Sequence, residues 1–477
     1  MTGNTTHLRA MRVGGELEAT AVSGPKAVEV IERDGAVHLL HSQTLSHCVA
    51  PARNLPLNTD WFGRLEPAHR RPFLPKARMP LLRPHSLIAT HRPHASTELS
   101  FAGGADAAAL LRQAGEIGRH HPRPGTVFHQ TDLLLEVLTA TPQALVAAFT
   151  RDGTVRTLWP LRIERRYGAL VATDLASPLA QYSDVIGEPL DDDSFEALCR
   201  QLQASHRVDA ILCRAVRADS GLTSVLSAMP NAGIDCDGAP FVDLLAFDGF
   251  EAYCAQFSKH TARMRRQRRR KLEEACGPLS FTVLSGRAGQ AALATALQWK
   301  QQWLREQALS SRVIGAEDHE ATLIAAANGP GVHVSVLEAG AAPVAIELGF
   351  ANRHHYAAFM GAFDPALAAF SPGQEQMMLT LAWCFEQGFL RYDLLPPCDA
   401  YKLQWTRGRG EEPVQDFCVG LTAMGTLYKI ARQHARARLK HAVLALPKDI
   451  RAKALRYGPL VAGAGATAAT IGVLTDW

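Results

Sequence analysis

The sequence has no Cys-x-x-Cys pair, and its nine cysteines stand singly at 48, 199, 213, 236, 254, 276, 384, 398 and 418. An odd, scattered set argues against a disulfide framework or a zinc site and fits a reducing compartment. There are nineteen histidines but no His-Glu-x-x-His pattern. The adjacent pairs His120-His121 and His354-His355 would point to opposite faces of a strand, so no metal site is expected. Charge of one sign is not in large excess either. The net charge is +4 with a pI near 8.6, so any nucleic-acid or membrane contact must rest on local patches. Met1 to Thr20 lacks a basic-then-apolar leader. The weakly polar stretch Gly458–Leu474 is rich in Gly and Ala and short for a bilayer span, so a cytoplasmic location is expected.

What is present is a chain of 477 residues, 47% apolar and 20% charged, enough for two or three domains with cores. Residues 1–100 read as an extension or small subdomain. Ala27–Ile31 and Ala36–Leu40 flank Arg33-Asp34-Gly35 as a hairpin, and a Pro/Arg/His-rich linker follows from Trp61 to His94. Residues 101–250 and 251–425 read as two α/β domains of like order. The first has a helix at Phe128–Leu138, strands at Ala144–Phe149 and Val155–Ile163 turning at Asp152-Gly153, a helix at Asp193–Ala204, a short helix at Leu222–Met229 and a strand at Phe241–Leu245. The second has a helix at Leu293–Gln307, strands at Val332–Leu337, Val344–Phe350 and His355–Met360, a helix after Pro372 and a strand at Leu390–Leu395. Residues 426–477 form a basic tail, with an amphipathic stretch over 428–457.

The chain centres on the turn Phe370-Ser371-Pro372-Gly373-Gln374. Ser371 suits an N-cap, Pro372 the first helical position, and Gln374 the closing place of a capping box. Gly373 leaves backbone amides accessible, and a helix start of this kind receives a phosphate; an ordinary helix start is the competing reading. Between the two domains runs the basic stretch Lys259–Lys271, a helix that calls for an anionic neighbour or stands solvated and paired to carboxylates. Glu347, in an otherwise apolar strand, could serve as a general base, and Asp393 would sit near a strand end where site residues gather. In the loop beyond, a phenol at Tyr401 could protonate a leaving thiolate and an ammonium at Lys402 could stabilise an oxyanion. Lys402 could instead pair with Asp393 or Asp399.

Gly361-Ala362-Phe363-Asp364-Pro365, Ser371-Pro372-Gly373, Arg391-Tyr392-Asp393-Leu394-Leu395 and Tyr401-Lys402-Leu403-Gln404-Trp405 together resemble the CelD/BcsL-type GNAT proteins, relatives of the FemAB-like transferases. The resemblance covers roughly residues 125–420. It implies tandem GNAT-like domains with mixed sheets flanked by helices and a basic inter-domain helix, the first domain as scaffold and acceptor side and the second as acyl-CoA side. It further implies an acyltransferase acting in cellulose, exopolysaccharide or cell-envelope synthesis. Acetyl-CoA or another acyl-CoA would be the co-substrate, bound at Phe370, Ser371, Gly373 and Gln374, with Lys402, Tyr401, Asp393 and Glu347 as catalytic groups. Implied partners are a small-molecule, glycan or peptide-like acceptor, an acyl carrier protein, and a membrane surface or synthase met through 259–271 and 428–457; nucleic acid is not expected. An aminoacyl-tRNA-dependent FemAB-like transferase and a non-catalytic accessory protein docked on a polysaccharide synthase remain the alternatives. The turn has fewer glycines than typical GNAT phosphate loops, which feeds the last of these.

Overall fold

The structure is a computed structural model that describes residues 97–433, apart from 308 and 310, and the backbone of four strands between residues 8 and 41. The linker expected at 61–94, the basic stretch from 434 to 457 and the apolar stretch 458–474 lie outside the described residues. The chain divides into two compact units, Met1–Ala89 and Thr90–Trp477. In the first, β1 (Leu8–Val13), β2 (Glu16–Ala21), β3 (Val28–Arg33) and β4 (Ala36–His41) form an antiparallel meander. β3 and β4 pair antiparallel with Arg33 opposite Ala36, the hairpin pairing expected there.

The second unit carries ten elements twice in the same order. The first set is β5 (Glu98–Ala102), α1 (Gly104–Arg119), α2 (Thr131–Ala140), β6 (Ala144–Arg151), β7 (Thr154–Arg166) and β8 (Ala169–Asp174). A two-residue strand, β9 (Ile186–Gly187), comes next. The set closes with α3 (Asp192–His206), β10 (Ala210–Arg217), α4 (Thr223–Ala228) and β11 (Gly233–Asp243). Two helices, α5 (Phe250–Ala255) and the basic α6 (Lys259–Cys276), lead to the second set. It runs β12 (Leu279–Leu284), α7 (Gly286–Gln307), α8 (Glu317–Ala326), β13 (Val332–Ala339), β14 (Ala342–Ala351), β15 (His355–Phe363), α9 (Pro372–Glu386), β16 (Arg391–Asp393), α10 (Ala400–Thr406) and β17 (Glu411–Gly420), with α11 (Ala423–Ala431) behind it.

Both sets share one mixed sheet, ordered β12-β13-β14-β15-β16-β11-β17-β10-β8-β7-β6-β5. The order is symmetric about its centre, because each set lends its last strand to the other. β11 pairs with β16 of the second set, β17 pairs with β10 of the first, and the two exchanged strands pair antiparallel with each other. The halves are therefore one folding unit, with backbone hydrogen bonds of each completed by the other.

Local sequence explains most elements. In α1 the buried Ala107, Leu111 and Ala114 fall on one helical face, while β14 is a continuous buried run from Val344 to Ala351, as befits a strand covered on both sides. Asp152 and Gly153 both take positive φ and make the tight β6–β7 turn. Several expected boundaries move. The helix expected at Leu293–Gln307 begins earlier, at Gly286, and the strand expected at Phe241–Leu245 is the longer β11, which ends at Asp243 where Leu244–Ala246 turns into a 3₁₀ segment. The helix expected from Phe128 starts at Thr131, because Pro124–Phe128 forms a separate 3₁₀ turn. The strand expected at Leu390–Leu395 shortens to β16, since Leu395 takes a left-handed backbone conformation. Tyr401–Trp405 is the helix α10 rather than a loop, with Leu403 N donating to the carbonyl of Asp399. Among the described residues no helix is long and apolar enough to cross a membrane.

Candidate active site

The Phe370–Gln374 turn and the basic helix, read as separate features of the sequence, meet in space. Leu272 of α6 is buried against Leu337, Val344 and Ala345, with Leu367 and Phe370 alongside. That contact lays α6 across the start of α9. Arg265, Arg268, Arg269 and Leu272 face Phe370, Ser371, Gln374 and Glu375 across a small, open groove. Arg268 Nη1 donates to Gln374 Oε1 at 3.4 Å. Arg265 lies over Phe257 at 4.1 Å and Trp405 at 4.7 Å. Burial lowers the pKa of both guanidiniums, a desolvation that a bound anion offsets. Arg269 pairs with Glu375 at 3.4 Å, so part of the positive charge is already met.

The cap itself differs from expectation. Ser371 adopts φ 55°, ψ 50° and its side chain makes no capping hydrogen bond. A left-handed residue cannot aim its hydroxyl at the amides as an extended N-cap does, so the capping box with Gln374 does not form and Gln374 turns to Arg268 instead. The turn is fixed from upstream, where Asp364 accepts from Ala366 N at 2.9 Å and caps the 3₁₀ turn Pro365–Phe370 that ends at Ser371. A Cβ at Gly373 would stand 3.3 Å from the Phe363 ring, a tight approach that the ring would have to yield to by a few tenths of an ångström.

Beside this turn the sheet opens. β15 and β16 pair in parallel only over His355–Ala357 and Arg391–Asp393, while β15 continues to Phe363. Its backbone edge beyond Ala357 is available to an extended ligand with amide groups, which can add as a strand does. Gly361 on that stretch has open space about its Cβ position.

Tyr392 and Asp393 are neighbours in β16 and so project to opposite faces of the sheet. On one face Glu347 is 3% exposed and accepts from Tyr356 at 3.0 Å and from Tyr392 at 3.0 and 3.1 Å, the two rings stacking at 5.4 Å. Burial pushes its carboxyl up to about 7, the tyrosine hydroxyls opposing. On the other face Asp393 accepts from Tyr182 at 2.9 Å and from Arg217 at 3.0 Å, both in the first half of the unit. The two carboxylates therefore do not share a site. Lys402 is buried, and its Nζ donates to the carbonyls of Leu395 at 2.9 Å and Pro397 at 3.0 Å, with Asp399 at 3.8 Å. Burial lowers its pKa against the pull of Asp399 and Asp393. Tyr401 is 53% exposed beside it. Lys300 of α7, which carried no recognisable signal, stands 4.3 Å over Trp303, its pKa lowered by burial and by Lys402.

The raised Glu347 pKa has a stability consequence. Between the unfolded value of 4.5 and the folded value of about 7 the native state holds the extra proton, so stability falls as pH rises through that window and is level above it. Glu347→Gln should therefore gain stability relative to the wild type as pH rises from 4.5 to 7. Urea denaturation at a series of pH values reads this; a difference that stays constant with pH would contradict the assignment.

The first half repeats the architecture without the site. Its matching helix, α3, starts Asp191-Asp192-Asp193, and Asp191 accepts from Ser194 N, so carboxylates stand at the helix start where α9 has Ser371 and Gly373. The matching gap, where β8 pairs with β10 only at Val171 and Ala172, is taken by the chain itself. Ser183 N donates to Arg214 O at 2.8 Å, and Arg214 N donates to Ser183 Oγ at 2.7 Å.

Residues 258–403 match the family described as acetyltransferase (GNAT) domain, a span that includes α6, the groove, β14 to β16 and Lys402. No curated protein matches the sequence. Among solved structures, a conserved protein of unknown function from Bacteroides thetaiotaomicron is 12% identical with a TM-score of 0.46, over 68% of this chain and 100% of its own. FemX is 12% identical with a TM-score of 0.41, over 70% and 100%. A tandem GNAT protein from the clavulanic acid biosynthesis pathway is 11% identical with a TM-score of 0.39, over 68% and 99%.

Proposed function

We propose that the second half is an acyltransferase that takes an acyl group from the phosphopantetheine thioester of acyl-CoA and passes it to an amine. The observation that carries this is the meeting of Arg265 and Arg268 with the start of α9, next to the open edge of β15. Arg268, Gln374 and the first amides of α9 hold phosphate; the β15 backbone holds the pantetheine amides. In the transfer the acceptor nitrogen bonds the acyl carbon and the carbon–sulfur bond breaks. Glu347, poised near neutrality, takes up the nitrogen's proton through a tyrosine hydroxyl, and Tyr401 protonates the departing sulfur. The proton gained by Glu347 balances the one given by Tyr401, so net charge is unchanged, and the starting state returns when Glu347 gives up its proton and the Tyr401 phenolate regains one by exchange with solvent. Lys402, its ammonium fixed by two carbonyls, steadies the developing negative charge. Asp393 positions the end of β16 rather than acting as base. The likeness over 361–405 supports a sugar-linked amine of exopolysaccharide or envelope synthesis as acceptor, met at the inner face of the membrane.

Calorimetric titration with acetyl-CoA should find one site per chain, because α3 and the Ser183 segment close the matching place in the first half. Lys402→Ala should keep that binding and lose about a hundredfold or more in turnover with an amine acceptor. Two sites, or none, would sink the reading.

A further inference from the structure

We infer that Glu375 is an internal stand-in for the donor's phosphate, one that closes the groove beside α9 to free phosphate and yields to acyl-CoA. This deepens the transferase reading above and rests on it. Glu375 lies in the first turn of α9 and lines the same groove as Arg265, Arg268, Ser371 and Gln374. Its carboxylate, 16% exposed, stands 3.4 Å from Arg269 Nη1, while Arg269 Nε holds Glu273 at 3.3 Å. The place that suits a bound anion, cations beside a helix start, thus already contains one. It is held loosely. Charge-assisted hydrogen bonds close to about 2.7–2.9 Å, this contact does not, and the Arg269 side chain is 47% exposed.

A phosphate that enters must share Arg269 with Glu375 or take it away, and either way it meets a carboxylate at close range. Inorganic phosphate has no second hold on the protein to offset that repulsion. Acyl-CoA has one, because its pantetheine amides pair with the open edge of β15, so the donor enters where a free anion does not. Arg269 keeps its bond to Glu273 throughout, which holds the guanidinium in place during the exchange. The exchange is also linked to protons. Burial raises the pKa of Glu375, Arg269 lowers it, Glu273 raises it and Arg265 lowers it. Arg268 is the remaining charged group of the groove. The 3₁₀ turn Pro365–Phe370 carries no titratable side chain, and the strands beneath present Leu337, Val344 and Ala345. A phosphate that takes Arg269 removes the main downward pull and adds negative charge, so the pKa of Glu375 rises on binding and a proton is taken up. Through this residue, donor affinity improves as pH falls through the bound-state pKa and levels off below the free-state one.

The test titrates acetyl-CoA, with and without inorganic phosphate, into the full chain and its Glu375→Gln and Glu375→Ala variants by calorimetry at a series of pH values. Both substitutions suit a helix, and α6 stays anchored through Leu272, so the groove is retained. At neutral pH each variant should bind acetyl-CoA about tenfold more tightly than the wild type, a difference of about 1.4 kcal/mol. Inorganic phosphate should compete in the variants at concentrations that leave the wild type untouched. The gap in acetyl-CoA affinity should close as pH falls, because the wild-type carboxyl becomes neutral, whereas titration of the ligand's own phosphate is common to all the chains. Equal or weaker acetyl-CoA binding in both variants overturns the proposal and leaves the transferase reading standing. So does a gap that stays constant with pH, which would assign the effect to packing rather than charge, and so does phosphate competition that is the same in every chain. Failure of wild type and variants alike to bind acetyl-CoA overturns the transferase reading, and this one with it.

Discussion

Arg268→Glu should raise the dissociation constant for acetyl-CoA by about a hundredfold. The wild-type guanidinium is held against Gln374 at the start of α9, in a groove whose burial already lowers its pKa, so a phosphate there is met by a partly desolvated cation. A hydrogen bond to a charged group contributes about 1.5–3 kcal/mol, and reversing the charge adds repulsion between glutamate and phosphate. A hundredfold corresponds to about 2.7 kcal/mol, within what that single contact can supply. Calorimetry measures it directly, with circular dichroism as the check on folding. The affinity of the wild type should also fall with salt, and that slope should flatten in the variant. An unchanged dissociation constant would mean that the phosphate does not sit between α6 and α9.

Why this groove was half legible is a matter of sequence distance. The Ser-Pro-Gly turn and the arginine run are each local patterns and stand out by composition alone. Their union is not local: Arg268 and Gln374 are 106 residues apart and are joined because Leu272 reaches a cluster built by β13, β14 and the 3₁₀ turn. Ser371 shows the opposite failure. Its residue type predicts a side-chain cap, but the preceding turn drives its backbone left-handed, and tertiary context overrides the propensity. Glu347 was visible as a carboxylate in an apolar strand. That its partners are Tyr356 and Tyr392 depends on the register of β14, β15 and β16. The repeat of helices and strands was legible from periodicity, whereas the exchange of β11 and β17 leaves no trace in either strand's own pattern.

That exchange brings Arg217 to the middle of the sheet, and its removal should cost the protein about 3–5 kcal/mol of stability. Arg217 is 1% exposed. Its guanidinium donates to Asp393 at 3.0 Å and to both oxygens of Asp219 at 2.9 and 3.2 Å, approaches Glu412 at 3.5 Å, and lies 5.0 Å over the Tyr182 ring. Arg217→Met keeps the length and loses the charge, leaving the Asp393 carboxylate buried with Tyr182 as its remaining side-chain donor. Urea denaturation should show the loss as a lower midpoint, a large share of the roughly 5–15 kcal/mol that folded domains possess. Asp219 adds a pH signature. Burial alone would raise its pKa, but the Arg217 hydrogen bond and charge hold it below 3.8, so its contribution is present above that value and is lost as pH falls through the folded pKa. The variant should lack this acid-side loss. Pairing the change with Asp393→Leu should recover much of the stability, since an apolar pair avoids the stranded charge. A variant as stable as the wild type would show that the halves are held by the exchanged strands alone. Turnover separates the two roles further. Leu395 N donates to Asp393 and the carbonyl of Leu395 accepts from Lys402, so a first-half arginine fixes the carboxylate that fixes the strand end that holds the ammonium. Arg217→Met should therefore lower kcat under conditions where it remains folded, while acetyl-CoA binding at the distant α9 groove stays as it was.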